Sequence, residues 1–219
     1  MGRKIDLRFI EIGYELAVLR QSIQILERHL QGAVDTEIAR LYESLNQTDE
    51  TAWSEAQFRE DELQSGVLIR SVTGAPLLAG WGAYEAAVAK LACSIQQCRG
   101  VSLTLSDLRG SFVSRARKYF CDVLAFDLHP VGADWHRLEM IAAVRHCLAH
   151  ANGRIPDVRD GNRPRLVEYA QATQGLKLEG EYLVVTLSFA RATIEFLKEL
   201  LDDLVQRTCS TFPTAKDVA

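Results

Sequence analysis

The sequence predicts an all-α protein, a helical bundle with an N-terminal helical extension and one small β-hairpin before its last helix. Three observations carry this. Apolar residues recur at three- and four-residue spacing through most of the 219 residues. Alternation with a period of two is confined to one short stretch, residues 176–185. Helix-stop signals, Gly32 and Asn152-Gly153, follow periodic segments rather than interrupting them.

From the N-terminus, Leu7, Ile10, Tyr14, Ala17, Val18, Ile25 and Leu26 give one amphipathic helix over Ile5–Leu30, with Gly32 as its expected end. Asp35 is positioned to open a second helix through Ile38, Leu41, Tyr42 and Leu45, and the acidic stretch Asp49–Leu63, with Trp53 and Phe58, reads as a third. These helices carry no catalytic set; core support, an extended dimer interface or a partner surface are the roles open to them. Gly74-Ala75-Pro76 marks an expected boundary, dividing an extension over residues 1–73 from a main helical domain over 74–210 and a tail over 211–219, with packing of both sides into one unit as the open alternative.

The segment Leu77–Leu91 reads as a long helix whose small residues permit close packing and whose Trp81 and Tyr84 add buried aromatic area. A further helix has Asp134 as its N-cap, apolar positions at Trp135, Leu138, Ile141, Ala142, Val144, Leu148 and Ala149, and a stop at Asn152-Gly153 reinforced by Pro156. Residues 176–185 alternate around Glu179-Gly180-Glu181, the pattern of a hairpin. Ser188 is placed to cap a closing helix through Phe189, Ile194, Phe196, Leu197, Leu200, Leu201, Leu204 and Val205.

The usable chemistry concentrates at one helix end, Val144-Arg145-His146-Cys147-Leu148-Ala149-His150. His146 and His150 are four residues apart and share a face, whereas Arg145 and His150 are separated by about 140° around the axis and converge only obliquely. A second copy of the helix packed antiparallel across a two-fold axis would bring two such sets into one cleft. A histidine exchanges a proton near neutral pH, and arginine offers a permanent cationic fork suited to phosphate. Cleavage of RNA without a metal needs those groups: an acid and base for the 2′-hydroxyl and the leaving oxygen, and a cation for the crowded phosphorane. The plainer alternative is a surface arginine and a histidine that merely close a helix.

Arg145-His146-xxx-His150 followed by Ala151-Asn152-Gly153-Arg154-Ile155 resembles the signature of the HEPN superfamily, Arg-polar-xxx-His with a short Asn/Gly-rich turn after it. Arg145 matches the family's arginine, His146 its polar partner and His150 its histidine. The order of long helix, motif helix, hairpin and closing helix extends the likeness over residues 75–208. The resemblance implies two long central helices at a homodimer interface, with the motif on the second. It also implies metal-independent ribonuclease activity in toxin–antitoxin, anti-phage or RNA-processing systems, with an antitoxin or other protein as a further partner. Degenerate members bind nucleotide, RNA or a protein without cleaving. Asn152 and Arg154, beside the motif, are candidate substrate contacts, and no cofactor is expected.

Composition sets limits on these readings. A net charge of −4 argues against a broadly basic nucleic-acid binder but leaves room for a local cationic cleft, with Arg109, Arg115, Arg117, Lys118, Arg154, Arg159, Arg163 and Arg165 as candidates to line it. His146 and His150 have the spacing of two metal ligands, with His136 on the same helix, yet no Glu follows His146 to make HExxH and no further ligand is evident, so no metal is expected. Glu139 is open to two roles, orienting Arg145 or His146 or pairing with His136 three residues before it, and the pairing is the favoured one. Five cysteines without a CxxC pair suggest buried, reduced thiols, and Cys147 in particular reads as packed. Phosphate loops of Walker or Rossmann type are absent, which excludes those nucleotide hydrolases and dehydrogenases. No apolar run approaches a membrane span or a signal peptide, and a cytosolic location is expected.

Overall fold

The computed structural model describes residues 13–43, 45, 50–64, 66–129, 134–159 and 161–212. Helix α1 spans Tyr14–Glu43, α2 Glu50–Gln64 and α3 Val67–Arg99. After a 3-10 turn at Leu105–Asp107, α4 covers Phe112–Lys118 and runs on into a wide π-type turn, Tyr119–Val123. Next come α5 (Trp135–Ala151), α6 (Arg163–Ala172), strands β1 (Leu176–Glu179) and β2 (Tyr182–Val185), and α7 (Leu187–Thr211). The fold is thus all-α with the expected antiparallel hairpin, its register running from Leu176 opposite Val185 to Glu179 opposite Tyr182.

Two breaks expected in the N-terminal third do not occur. The chain passes Gly32 inside α1, and Asp35, rather than opening a helix, accepts a hydrogen bond from Gln31 Nε2 at 2.8 Å within the same helix. A single interior Gly costs a helix only about 1 kcal/mol, and burial of Leu16, Ile23 and Val34 along α1 outweighs it. Residues 5–12 of the first expected helix lie outside the described residues. Gly74-Ala75-Pro76 likewise falls inside α3. Pro76 deprives the Val72 carbonyl of its helical partner, a cost of about 3 kcal/mol. Yet Gly74, Pro76 and Leu77 are all buried, and Gly74 gives the Leu148 methyls of α5 a seat 3.6 Å from where its own Cβ would stand. The boundary expected at 73/74 is therefore spanned by one helix.

The long helices α3 and α7 form the most extensive pairing, and α1 packs on both. Leu16 and Ile23 of α1 share one core with Trp81, Tyr84, Leu91 and Ile95 of α3 and Ile194, Leu197 and Leu204 of α7. Core support is the role the structure gives α1. The closing helix forms as expected, but its cap is Thr186, whose Oγ1 accepts the Phe189 amide at 3.3 Å, while Ser188 hydrogen-bonds the Thr186 hydroxyl. Thr186 ends the hairpin, so it alone holds the extended backbone an N-cap requires. No helix among the described residues is long and apolar enough to cross a membrane. All five cysteines are free thiols, as expected, but only Cys147 is buried; Cys93, Cys98 and Cys121 are exposed because they fall on outward-facing positions.

His129 is a buried residue the sequence did not single out. It is 4% exposed, its Nε2 lies 2.6 Å from the Tyr84 hydroxyl, and its ring lies against those of Tyr84 and Trp135. Burial first, then the nearby Arg207 guanidinium, holds it down to about 4. Above pH 6.5 the residue is neutral in both folded and unfolded chains and has no effect on the pH dependence of stability. As pH falls from 6.5 towards 4 the unfolded chain takes up a proton that the folded one refuses, so stability declines, by about 3 kcal/mol at most. Urea midpoints measured between pH 7 and pH 4 should fall steadily, and His129→Phe should flatten that fall while lowering stability at pH 7 by orphaning the Tyr84 hydroxyl.

Candidate functional site

The site is built on the last two turns of α5. Asp134 Oδ1 accepts the Arg137 amide at 2.7 Å and starts the helix as expected. Leu138, Met140, Ile141, Val144 and Cys147 are buried and fix its rotation, so that Arg145 emerges half-buried while His146 and His150 are exposed on the outer face. Burial also pushes the Cys147 thiol up to about 11, which leaves it a packing group and no nucleophile.

The helix stops where Asn152 takes the left-handed conformation at φ 49° and Gly153 follows at φ 81°, both amides turning back to the Cys147 carbonyl. The exit loop is then fastened to the hairpin. Leu183 N–H donates to the Gly153 carbonyl and Ile155 N–H to the Glu181 carbonyl, each at 2.8 Å. Arg154 completes the fastening, with Nη2 2.8 Å from Glu181 Oε2 and Nη1 2.9 Å from Asp157 Oδ1. Asn152 and Arg154, expected as substrate contacts, are thus occupied in ending α5 and tying it to β2, and neither lines the groove described next. The signal missed was long-range, since Glu181 stands 27 residues beyond Arg154.

Arg145 and His146 line a groove of about 570 Å³ between α3, α4, α5 and the segment leading into α6. Of the eight cationic candidates, Arg159 and Arg165 reach it. Arg163 instead donates to the carbonyls of Pro156 and Val158, and Arg117 lies over the Trp135 ring at 4.8 Å. Glu139 pairs with Arg165 at 3.6 Å rather than with His136, because α6 lies alongside α5; His136 packs edge-on against Tyr169. Among the described residues no hydrogen-bond or ion-pair partner engages Arg145 or Arg159, so two permanent cations line the groove without pairing to the Glu85 or Glu139 carboxylates that line it too.

His146 and His150 stack obliquely, ring centroids 4.5 Å apart at 47°. Partial burial, then His150, Arg145 and Arg159, lowers the pKa of His146 and keeps it neutral at physiological pH. His150 stands one turn beyond and is not among the groove-lining residues. Arg159→Gln removes one of the cations that disfavour a charged His146, so its titration should move to higher pH, read from its imidazole Cε1–H resonance by NMR. No group of three or more His, Cys, Asp or Glu among the described residues is arranged to hold a metal ion.

The other walls of the groove come from residues the sequence did not mark as functional. Trp81 donates its indole N–H to Glu85 Oε1 at 2.6 Å, and Phe112 crosses Trp81 and Tyr84 edge-on. Only the four-residue Trp–Glu spacing hinted at the first contact. The arrangement as a whole is a cationic groove with a histidine pair running off its rim, a site suited to a phosphodiester. Comparison with protein-family models, curated proteins and solved structures finds no match to the chain.

Proposed function

We propose that this protein is a metal-independent endoribonuclease of HEPN type that acts as a homodimer in a toxin–antitoxin, anti-phage or RNA-processing system. The observation that carries the reading is the uncommitted Arg145 guanidinium beside a histidine held neutral, with a second histidine 4.5 Å from the first. In the proposed reaction the 2′-oxygen of RNA attacks the adjacent phosphorus while His146 accepts the hydroxyl proton. The bond from phosphorus to the 5′-oxygen breaks, and that oxygen takes a proton from His150. Arg145 stabilises the phosphorane. The products are a 2′,3′-cyclic phosphate and a 5′-hydroxyl, and the two histidines return to their starting states by exchanging protons with water. A two-fold copy of α5 would supply a second set to the same cleft.

The test is cleavage of end-labelled RNA by purified protein in EDTA, with product ends mapped and the oligomer measured by sedimentation. Cyclic-phosphate ends, lost in folded Arg145→Ala and His150→Ala proteins that still dimerise, support the proposal; intact RNA with wild-type protein counts against it. One observation favours a second reading, a non-catalytic HEPN module that binds nucleotide, RNA or a protein partner: His150 stands outside the groove that Arg145 and His146 line. On that reading the wild-type protein retains RNA and leaves it whole.

A further inference from the structure

Glu85 is the anomaly of the groove. Its carboxylate is half-buried on the α3 wall of the groove, it accepts the Trp81 indole N–H, and among the described residues it forms no ion pair with Arg145, Arg159 or Arg165 in the same groove. The indole bond fixes Oε1 and leaves lone pairs on both oxygens directed elsewhere. Phe112, partly exposed and held edge-on to Trp81 and Tyr84, adds a rigid aromatic surface beside it. At about 570 Å³ the groove has room for a nucleotide between this wall and the cations.

We infer that the groove is a guanine-selective nucleotide subsite, in which Glu85 accepts the N1–H and N2–H donors of the base, the ring lies against Phe112, and the adjoining phosphate meets Arg145 and Arg159. The inference rests on the ribonucleic-acid reading of the same site. A carboxylate is an acceptor only, and of the four RNA bases guanine alone presents two adjacent N–H donors on one edge. Adenine sets an acceptor beside its amino group, cytosine does the same, and uracil flanks its single N–H with two carbonyl oxygens. A site built to pair such donors disfavours a base lacking them, because a ring acceptor or carbonyl oxygen of that base then faces the carboxylate lone pairs where a donor should be. The chemistry also explains why a carboxylate lines a groove otherwise suited to an anion: the base takes the Glu85 side of the groove and the phosphate the arginines.

The test uses the full-length protein and two readouts. Binding of 2′-O-methyl GpU and ApU, which cannot be cleaved, is measured by calorimetry for wild-type and Glu85→Gln proteins, and cut positions are mapped on an RNA of mixed sequence. Gln keeps an oxygen for the Trp81 indole, and circular dichroism checks that the variant is folded. Expected is a preference of roughly tenfold or more for GpU over ApU, cuts beside guanosine, and loss of the preference in Glu85→Gln. Guanine-selective binding abolished by Glu85→Gln, with no cleavage by any protein, upholds the subsite while the catalytic reading fails. Cleavage or binding indifferent to the base, or a guanine preference unchanged in Glu85→Gln, overturns the subsite; the ribonuclease reading then stands where the wild-type protein cuts RNA and falls where it does not. Absence of both binding and cleavage overturns both.

Discussion

On the proposed ribonuclease reaction, Arg145→Ala should slow RNA cleavage by about a hundredfold to a thousandfold, the loss typical of removing one preorganised donor from a developing oxyanion, about 2.7–4 kcal/mol of transition-state stabilisation. Its guanidinium engages no partner within the described chain, so its removal strands no buried group and the variant should melt close to wild type. Arg145→Lys should recover part of the rate, since a lysine restores the charge without the planar fork that meets two phosphate oxygens at once. His150→Ala, which removes a proton donor, should cost about 10²–10⁴ in rate. The two losses should not add, because cation and acid serve one transition state and act as a unit. Single-turnover rates on one RNA, with thermal melts of each variant, measure all four. A His150→Ala rate equal to wild type would remove that histidine from the reaction and leave His146 as the only candidate in the pair.

The largest expected effect on folding lies on the far side of the hairpin from the motif. Gly175 sits at φ 87°, and a Cβ there would stand 2.7 Å from Thr186 Oγ1, 2.9 Å from Phe189 Cβ and 3.1 Å from the Phe189 amide nitrogen. Its carbonyl accepts both the Thr186 N–H and the Thr186 hydroxyl at 2.9 Å. Gly175 therefore clasps the residue that caps α7. Gly175→Val places a β-branched side chain in the left-handed region, a strain of about 1–3 kcal/mol. It also drives atoms into the backbone of the first turn of α7 and displaces the cap, itself worth about 1 kcal/mol. A total loss of about 3–5 kcal/mol is expected, read as a lower urea midpoint at unchanged slope. Gly161→Ala is the control: nothing lies within 4 Å of its Cβ position, and stability should hardly change.

How far the sequence could be read depends on the range over which each feature is decided. Asp134 capping α5, the stop at Asn152-Gly153 and the hairpin around Gly180 are settled within a few residues, by one side chain's reach or one residue's permitted φ, and all three appear where the sequence put them. Gly32 and Pro76 carry equally local signals, yet both lie inside helices. Their local costs are about 1 and 3 kcal/mol, and the apolar residues that α1 and α3 bury on either side outweigh them. Ser188 and Thr186 are both hydroxyls near one helix start, and the choice between them belongs to the strand that ends at Val185.

At the candidate site the division is the same. The sequence by itself determined that Arg145, His146 and His150 stand together at the end of one helix, because residues one to five apart on a helix have no freedom to separate. It also determined the hairpin and the closing helix, through period-two and 3.6-residue patterns that need no knowledge of neighbours, whereas the short helix α6 between α5 and the hairpin was not predicted. Only the tertiary structure decided which cations face Arg145. It took Arg154 away to Glu181 and Arg165 to Glu139, and it brought Trp81, Glu85, Phe112 and Arg159 to the groove from segments up to 78 residues apart. The physical reason is that a charged side chain can satisfy any of several partners within reach, and the packing of α3, α4, α5 and α6 sets which partners those are.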